Sequence, residues 1–359
     1  MSHRKILVLG GTGAMGTHLV ALLSQQGYEV VVTSRSRSDT VGQVRYLQGD
    51  AHDPRFLNLI LAREQWLAII DFMVYSTDAF KARAQSLLDA TAQYIFLSSS
   101  RVYAQSSTPL TEDSPRLLDV STDQTYLATD EYALTKARQE NVLFGSGRAN
   151  WTIIRPYITF SRERLQLGVL EKEDWLFRVL HGRTIVFSKD INDRLTTLTY
   201  GEDVAKGMIA IIGEHKALGE AFHITSPIAH RWSAVLDTYK RILATYNNAV
   251  PQVTLTDLTT FMRVHPAPFQ ITYDRLYDRV FDNTKISRFI DTRQFNDPLQ
   301  SLQSCLSAFL TKPQFLRVSA KHEALKDLVT HERTPLGQLP GVKQKVRYIA
   351  TQLLDNSSI

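Results

Sequence analysis

The spacing of three glycines near the N-terminus limits what this chain can fold into. Residues 6–9 (ILVL) form a continuous apolar run of the kind that a parallel strand buried on both faces requires. Gly10, Gly13 and Gly16 follow, and apolar residues then recur at helical spacing until Gly27, a typical helix stop. The sequence therefore predicts a buried strand, a tight turn and a helix, in that order.

The glycines of this turn allow a ligand to approach the backbone. Glycine has no Cβ, so amide groups at the start of a helix can come close to a pyrophosphate. The predicted dinucleotide contacts are Gly10, Gly13, Ala14, Met15 and Gly16. The spacing differs from the commonest fingerprint, G-x-G-x-x-G, and the alternative is a glycine-rich turn without a ligand.

Predicted strands and helices alternate along the first half of the chain. After the first strand and helix, strands are predicted at 29–33, 44–48, 67–75, 94–97 and 151–155, and helices at 54–64, 77–91 and 131–143. Residues 104–130 are rich in Ser, Thr, Asp and Pro and are expected to form a long loop over the active-site face. This order predicts an α/β fold with a doubly wound, parallel Rossmann-type sheet.

The alternation weakens after Tyr157, and this change suggests the domain organisation. We expect a dinucleotide-binding domain at 1–157, completed by a returning strand near 219–225. Residues 158–200 and 226–330 are expected to form a smaller C-terminal substrate lobe, and 331–359 a helical tail.

Composition narrows the class of protein. With 359 residues, 43% hydrophobic and 21% charged, the chain can bury a large core and is not disordered as a whole. The net charge of +5 includes no long Lys/Arg run, so no nucleic-acid partner is expected. A single cysteine, Cys305, rules out an internal disulfide, and no metal site is predicted. Because no leader and no 18-residue apolar stretch occur, a soluble cytoplasmic protein without a membrane partner is expected.

The end of the second predicted strand bears on cofactor choice. NAD sites place an Asp or Glu there to bind the ribose hydroxyls, but this chain has Thr33, Ser34 and Arg35. A guanidinium can bind a 2′-phosphate through two parallel hydrogen bonds, whereas a carboxylate would repel it. The sequence therefore favours NADP(H), with NAD(H) as the alternative if Arg35 is solvated and Asp39 or the main chain holds the ribose.

Tyr132 and Lys136 are four residues apart on a predicted helix, so both side chains lie on one face. A tyrosine hydroxyl has a pKa near 10, and a nearby ammonium favours the phenolate at lower pH. Among the 14 tyrosines, Tyr132 is the only one with a lysine four residues later. The pair is predicted to act in proton transfer, with Lys136 also holding the nicotinamide ribose.

These residues resemble the extended short-chain dehydrogenase/reductases of the NAD-dependent epimerase/dehydratase family. The resemblance covers residues 5–210 and includes Thr12–Gly16, Arg155-Pro156 and Glu202–Ala205, where Asp203 is expected to be a helix cap and fold element rather than a catalyst. It implies hydride transfer at a carbinol or carbonyl carbon, commonly of a nucleotide-activated sugar. It further implies a homodimer through the helices at 77–91 and 131–143.

The resemblance also implies roles for individual residues. Tyr132 would be the acid/base, Lys136 would tune it, and Ser99, four residues before Tyr103, would orient the substrate oxygen. The alternation of side chains along a strand favours Ser99 over its serine neighbours on either side. Asp50 would contact the adenine.

Departures from the family pattern reduce the number of possible reactions but leave alternatives open. Family dehydratases have Asp-Glu where this chain has Ser100-Arg101, so reduction or 4-epimerisation remains. The usual pyrophosphate arginine is Thr196 here, so either Arg194 replaces it or the substrate is not a nucleotide sugar. The alternatives are an NADPH-dependent reductase of a non-sugar carbonyl, or a catalytically silent dinucleotide-sensing or RNA-associated binding protein.

Overall fold

The computed structural model describes residues 4–354. Its strands are β1 Lys5–Leu9, β2 Glu29–Ser34, β3 Thr40–Val41, β4 Val44–Gln48, β5 Trp66–Asp71, β6 Thr91–Leu97, β7 Trp151–Pro156, β8 Thr159–Phe160, β9 Ile185–Ser188, β10 Leu195–Thr196, β11 Thr199–Tyr200, β12 Glu220–Ile224, β13 His230–Arg231 and β14 Val253–Thr256. Its helices are α1 Gly16–Gln25, α2 Pro54–Leu61, α3 Thr77–Asp89, α4 Leu117–Val120, α5 Gln124–Leu127, α6 Tyr132–Phe144, α7 Lys172–Leu180, α8 Lys189–Asn192, α9 Gly201–Ala210, α10 Trp232–Asn247, α11 Leu258–Val264, α12 Pro268–Gln270, α13 Pro298–Leu310, α14 Ala320–Thr330 and α15 Gly341–Leu354.

One eight-stranded sheet, in the order β12-β7-β6-β5-β1-β2-β4-β3, organises the first part of the chain. All neighbours pair in parallel except the short edge strand β3, which runs antiparallel to β4. Successive connections run outward on either side of β1, so the strand order reverses between β1 and β5. The doubly wound parallel sheet is confirmed, and ligands of such sheets bind beyond the strand ends at this reversal.

The central strand β1 is buried on both faces because alternate side chains enter different cores. Ile6 and Val8 pack in one core with residues of α1 and α9. Leu7 and Leu9 pack in the other with residues of α2 and α3. A strand covered by helices on both faces needs no polar alternation, which explains the continuous apolar run.

Several element ends differ from the sequence prediction. The strand predicted at 67–75 ends at Asp71, and the helix predicted to reach Glu64 ends at Leu61. Asp53 caps that helix as expected, since its carboxylate accepts a hydrogen bond from the amide of Arg55 at 2.9 Å. The predicted loop at 104–130 contains two single helical turns, α4 and α5.

By its internal contacts the chain divides into two units. Among the described residues, the first contains 4–161, 197–228 and 279–298, and the second contains 162–196, 229–278 and 299–354. The segment 279–298, which the sequence placed in the lobe, lies in the first unit, where Arg279 donates hydrogen bonds to the carbonyls of Tyr103 and Ala104. The functional division into a cofactor domain and a substrate lobe stays a prediction.

The second unit is mainly helical. Two short strand pairs, β9 with β14 and β10 with β13, accompany its helices. The predicted tail at 331–359 is part of this unit: Tyr348 of α15 packs with Ala320 and Ala324 of α14, while residues 355–359 lie outside the described part. Within 4–354, no helix is both long and apolar enough to cross a membrane.

Candidate functional site

The turn between β1 and α1 requires glycine at two positions, for a different geometric reason at each. Gly10 has φ +75°, a conformation that other residues adopt at a cost. A Cβ at Gly16 would lie 2.6 Å from the carbonyl carbon of Gly11, so the turn closes tightly on itself. A Cβ at Gly13 would meet nothing within 4 Å. Space is therefore open at Gly13, whereas Gly16 is closely packed.

The start of α1 offers unused amide donors. Its cap residue, Met15, makes no side-chain capping bond. Within the described chain, no residue accepts a hydrogen bond from the amides of Gly13, Ala14 or Met15. Free amides at the positive end of a helix suit an anion such as a pyrophosphate, so this turn fits a dinucleotide.

Gly201 at the start of α9 supports the same turn and was not identified from the sequence. A Cβ there would lie 2.3 Å from the carbonyl oxygen of Ala14, so only glycine allows this approach. The expectation that nearby Asp203 caps the helix is wrong, because Asp203 lies inside its first turn. Its carboxylate instead accepts hydrogen bonds from the backbone amide and side chain of Asn296, at 2.9 and 2.7 Å.

The two arginines after β2 differ in their interactions with other residues. Arg37 forms a bidentate pair with Asp39, with contacts of 3.0 and 2.6 Å, and its guanidinium lies 3.5 Å from the centre of the Tyr46 ring. Arg35 is exposed, and its guanidinium makes no ion pair or hydrogen bond with another described residue. Asp39 is thus engaged by Arg37, and Arg35 is the guanidinium available to an incoming group.

Asp50, the predicted adenine contact, is exposed beyond β4. Its Oδ1 accepts a hydrogen bond from the amide of His52 at 2.9 Å and lies 3.1 Å from the ring Nδ1. These contacts lower the pKa of the carboxyl group, so Asp50 is ionised at neutral pH. Its Oδ2 makes no hydrogen bond within the described chain.

The three serines that follow β6 have separate roles. Ser98 donates to the Glu140 carboxylate at 2.6 Å, and Ser100 donates to the carbonyl of Arg155 at 2.6 Å. The Ser99 oxygen accepts a hydrogen bond from the amide of Arg101 at 3.2 Å, and within residues 4–354 its hydroxyl proton has no acceptor. Ser99 is therefore the one serine of the three that retains a donor for another molecule.

Tyr132 and Lys136 lie on the first turns of α6, which Glu131 caps by accepting a hydrogen bond from the amide of Ala133 at 2.7 Å. The side chain of Tyr132 is 37% exposed, whereas Lys136 is 2% exposed. The Lys136 Nζ lies 5.9 Å from the centre of the Tyr132 ring and donates to the carbonyl of Leu97 at 2.6 Å. A partly exposed tyrosine thus lies near an ammonium that is fixed at the end of β6.

Burial lowers the pKa of Lys136 to about 8, although the carboxylates of Asp71 and Glu140 raise it in part. The unfolded chain keeps this proton up to pH 10.5, so between pH 8 and 10.5 the unfolded state binds more protons than the folded state. The contribution of Lys136 to the free energy of unfolding therefore rises over this window, by about 1.4 kcal/mol per pH unit.

We expect Lys136→Met to lack this rise. Between pH 8 and pH 10 the unchanged protein should gain about 2 to 3 kcal/mol relative to the variant, as measured by urea unfolding. The exposed Lys81→Met serves as the control and should keep the full rise. Parallel pH curves for the unchanged protein and Lys136→Met would contradict the assignment.

Two acidic residues that the sequence analysis missed hold this site in place. Glu140 is buried on α6 and accepts hydrogen bonds from Ser98, from Arg155 at 2.8 and 2.9 Å, and from Arg116 at 3.0 Å. The fully buried Asp71 accepts from the hydroxyl of Tyr94 at 2.8 Å, and burial raises its pKa. Glu140 could have been found in the sequence from its position four residues after Lys136. Asp71 could have been found as an acidic residue that ends an otherwise apolar strand.

Comparison with known proteins identifies the family. Residues 6–225 match the NAD dependent epimerase/dehydratase family, and this match covers more than half of the chain. The chain belongs to this family. The match extends from β1 past the end of β12 and contains the glycine turn, the serines after β6 and the Tyr132–Lys136 pair. The family resemblance inferred from the sequence is thereby confirmed.

Curated relatives of this epimerase/dehydratase chain include two kinds of protein. It is 25% identical over 241 residues to the chloroplast stem-loop binding protein of 41 kDa b from Arabidopsis thaliana, covering 62% of this chain and 59% of the relative. It is 29% identical over 133 residues to a UDP-glucose 4-epimerase from Lactobacillus helveticus, covering 31% and 40%. The matches thus span less than two thirds of these relatives.

Solved structures share the epimerase/dehydratase fold at lower identity. UDP-glucose 4-epimerase from Bifidobacterium longum, solved in complex with NAD+ and UDP, aligns with a TM-score of 0.64 and 17% identity, covering 86% of this chain and 99% of that one. Epimerase Mth375 from Methanothermobacter thermautotrophicus aligns with a TM-score of 0.64 and 16% identity, covering 86% and 93%. At these identities the likeness concerns the fold.

Proposed function

We propose that this chain is an NAD(P)-dependent oxidoreductase or 4-epimerase that acts on a carbinol or carbonyl carbon of a nucleotide-activated sugar. The observation that carries the proposal is the grouping of an uncommitted serine donor, a partly exposed tyrosine and a buried lysine where β6 meets α6. The UDP-glucose 4-epimerases among its relatives support the substrate class.

Each residue has a stated task in this proposal. When bound, the nicotinamide cofactor accepts or returns a hydride at the substrate carbon. Tyr132 exchanges a proton with the substrate oxygen, and Ser99 donates a hydrogen bond to that same oxygen. Lys136 carries its charge at neutral pH and favours the phenolate form of Tyr132. The amides of the turn at 13–15 would hold the pyrophosphate.

Residues beside this group favour reduction or 4-epimerisation over dehydration. Ser100 is buried and bonded to the carbonyl of Arg155, so it offers no carboxylate to the substrate. Arg101 pairs with Glu131, and its guanidinium carbon lies 5.4 Å from the centre of the Tyr132 ring. A permanently charged guanidinium is a poor proton donor or acceptor, so the elimination of water lacks its acid and base.

The test combines cofactor identification with two substrate panels. The purified protein is denatured to release any nicotinamide cofactor, and the folded protein is assayed with UDP-hexoses for C4 inversion and with simple ketones for NADPH oxidation. Inversion together with retained NAD would identify a 4-epimerase, and ketone reduction without sugar turnover would identify the non-sugar reductase. Ser99→Ala should lower turnover about 10²-fold or more, a loss typical of removing one oxyanion donor, and failure of Ser99→Ala to change turnover would contradict the assignment.

The two glycines of the turn give a paired prediction. Gly13→Ala adds a methyl group in open space, so we expect nearly unchanged stability but a dinucleotide affinity reduced by about tenfold or more, because the methyl group keeps the pyrophosphate from the amides. Gly16→Ala places its methyl group against Gly11 and should destabilise the fold by about 1 to 3 kcal/mol. Urea unfolding and cofactor titration separate the two effects. Unchanged dinucleotide affinity in a stable Gly13→Ala variant would show that the amides of this turn do not hold the pyrophosphate.

We further propose a preference for NADP(H), with Arg35 binding the 2′-phosphate. The support is the uncommitted guanidinium of Arg35 and the absence of an acidic residue at the end of β2. Arg35→Ala should weaken NADPH binding about tenfold or more and leave NADH binding almost unchanged. Arg45→Ala, which removes an exposed arginine from the adjacent strand β4, is the matched control. Tighter binding of NADH than NADPH by the unchanged protein would overturn this preference.

A second candidate is an RNA-associated binding protein, and the similarity to the chloroplast stem-loop binding protein is the observation that favours it. Binding of a stem-loop RNA that weakens steeply with salt, without hydride transfer to any substrate, would support this candidate over the enzyme.

A homodimer through α3 and α6 is also proposed from the family resemblance, and sedimentation equilibrium would test it.

A further inference from the structure

Three potential metal ligands meet within the second unit. Asp174 lies in the first turn of α7, His265 directly follows α11, and His322 lies in the first turn of α14. One ligand atom of each lies within 4.8 Å of the others. No metal site was predicted from the sequence, because residues this far apart in the chain form no spacing motif.

The distances within this cluster suit a small tetrahedral cation. The Asp174 Oδ1 lies 3.3 Å from the His322 Nδ1 and 3.8 Å from the His265 Nδ1. Zinc bonds to nitrogen and oxygen of about 2.0 to 2.2 Å place tetrahedral ligand atoms about 3.4 Å apart. The two rings are tilted by 65°, with centroids 5.0 Å apart, so they are not stacked face to face. The three ligand atoms all lie within 4.8 Å of one another, so binding would require the side chains to close around the ion.

One ring nitrogen of the cluster is buried without a hydrogen-bond partner among the described residues. The Nδ1 of His265 is inaccessible to solvent, and no described residue forms a hydrogen bond with it. A buried nitrogen in this state loses the hydrogen bond that water would give it, a cost that a metal ligand bond removes. The side chains of Asp174 and His265 are about 15% exposed and that of His322 is 26% exposed, so solvent reaches part of each side chain.

We propose that Asp174, His265 and His322 form a site for a divalent cation of the zinc type, with a solvent molecule as the fourth ligand. Two imidazoles and one carboxylate favour zinc or a similar transition metal, whereas magnesium and calcium prefer six or more oxygen ligands. The ion would join α7, α14 and the segment after α11, and so stabilise the second unit.

The neighbouring charges prearrange this site and moderate its affinity. Lys326 lies one turn after His322, and its Nζ donates to the Asp174 carbonyl at 2.6 Å and to Glu323 at 3.0 Å. The same Nζ lies 3.4 Å from Asp174 Oδ1, the proposed ligand atom. Its charge opposes a cation, but the Glu323 carboxylate offsets that charge. One turn after Asp174, Arg178 binds Asp327 at 2.7 Å and thereby holds α7 against α14.

The test uses the full chain without a polyhistidine tag, stripped of metal with EDTA. Titration calorimetry with Zn²⁺ should give one site per chain, and Co²⁺ should give the intense visible absorption of four-coordinate cobalt. His265→Gln and His322→Gln should each weaken Zn²⁺ binding about 100-fold or more, since loss even of a hydrogen-bonding partner of a ligand costs about 10 to 100-fold. The midpoint of thermal unfolding should rise with Zn²⁺ for the unchanged protein and not for these variants.

The matched control is His215→Gln, which removes an exposed histidine of the first unit and should leave Zn²⁺ binding unchanged. Circular dichroism of the metal-free variants checks that both ligand variants are folded, and the more exposed His322 carries the test if His265→Gln is not. Absence of stoichiometric binding, or equal affinity in His322→Gln and the unchanged protein, would overturn the site.

Discussion

Replacing Tyr132 by phenylalanine is expected to lower turnover by about 10² to 10⁴-fold, the range typical of losing a positioned acid or base. The change removes one oxygen and keeps the ring beside Arg101 and Lys136, so the fold and substrate binding should survive. The loss should therefore fall on kcat and only weakly on KM. Steady-state kinetics on the substrate identified by the panels measures both constants.

The exposed Tyr246 provides the control for this variant. Its side chain is 51% exposed on α10, and Tyr246→Phe removes the same atom without touching the β6–α6 group. Turnover of Tyr246→Phe should equal that of the unchanged protein. Full turnover in Tyr132→Phe would mean that another group exchanges the proton, and the Ser-Tyr-Lys mechanism would be withdrawn.

The sequence predicted best those elements whose signals are local. The apolar run before Gly10 and the periodic stretch after Gly16 gave β1 and α1 to within a residue or two. Tyr132 was expected near the start of a helix, and α6 begins at that residue. Strand, turn and helix patterns depend on neighbours within a few positions, so one sequence suffices to find them.

Contacts between distant parts of the chain could not be read in this way. Nothing near Gly201 in the sequence indicates that it must pack against the carbonyl of Ala14. Likewise, the serine spacing alone does not tell that Ser98 and Ser100 are committed to Glu140 and Arg155. Such pairings follow from tertiary packing, which decides which of several similar side chains keeps a free donor.

The predicted long loop and lobe show a related limit. Polar composition at 104–130 correctly suggested irregular structure. It did not indicate the helical turns α4 and α5, whose side chains Leu117 and Tyr126 are buried. In the second unit, buried charges such as Arg178 look like ordinary surface residues in the sequence. A buried charge is recognisable only once its partners are known, because it is the partners that make burial tolerable.

Replacing Arg178 by methionine is expected to destabilise the second unit by about 3 to 5 kcal/mol, the cost typical of breaking a buried ion pair. Its fully buried guanidinium contacts Glu323 at 3.0 Å, Asp327 at 2.7 Å and Glu332 at 2.8 Å. Methionine fills much of the volume but leaves the Glu323 and Asp327 carboxylates with less positive charge in a nearly dry environment. Urea unfolding followed by far-ultraviolet circular dichroism measures the loss.

A second substitution separates charge from packing. Glu332 is the most exposed of the three acidic partners, and Glu332→Gln removes one negative charge from the group. The double variant should therefore be less destabilised than the two single variants summed, because the charge imbalance left by Arg178→Met is reduced. Arg293→Met, at an arginine exposed to 86%, should change stability little. Additive losses in the double variant would show that Arg178 stabilises the unit through packing and hydrogen bonds rather than through its charge.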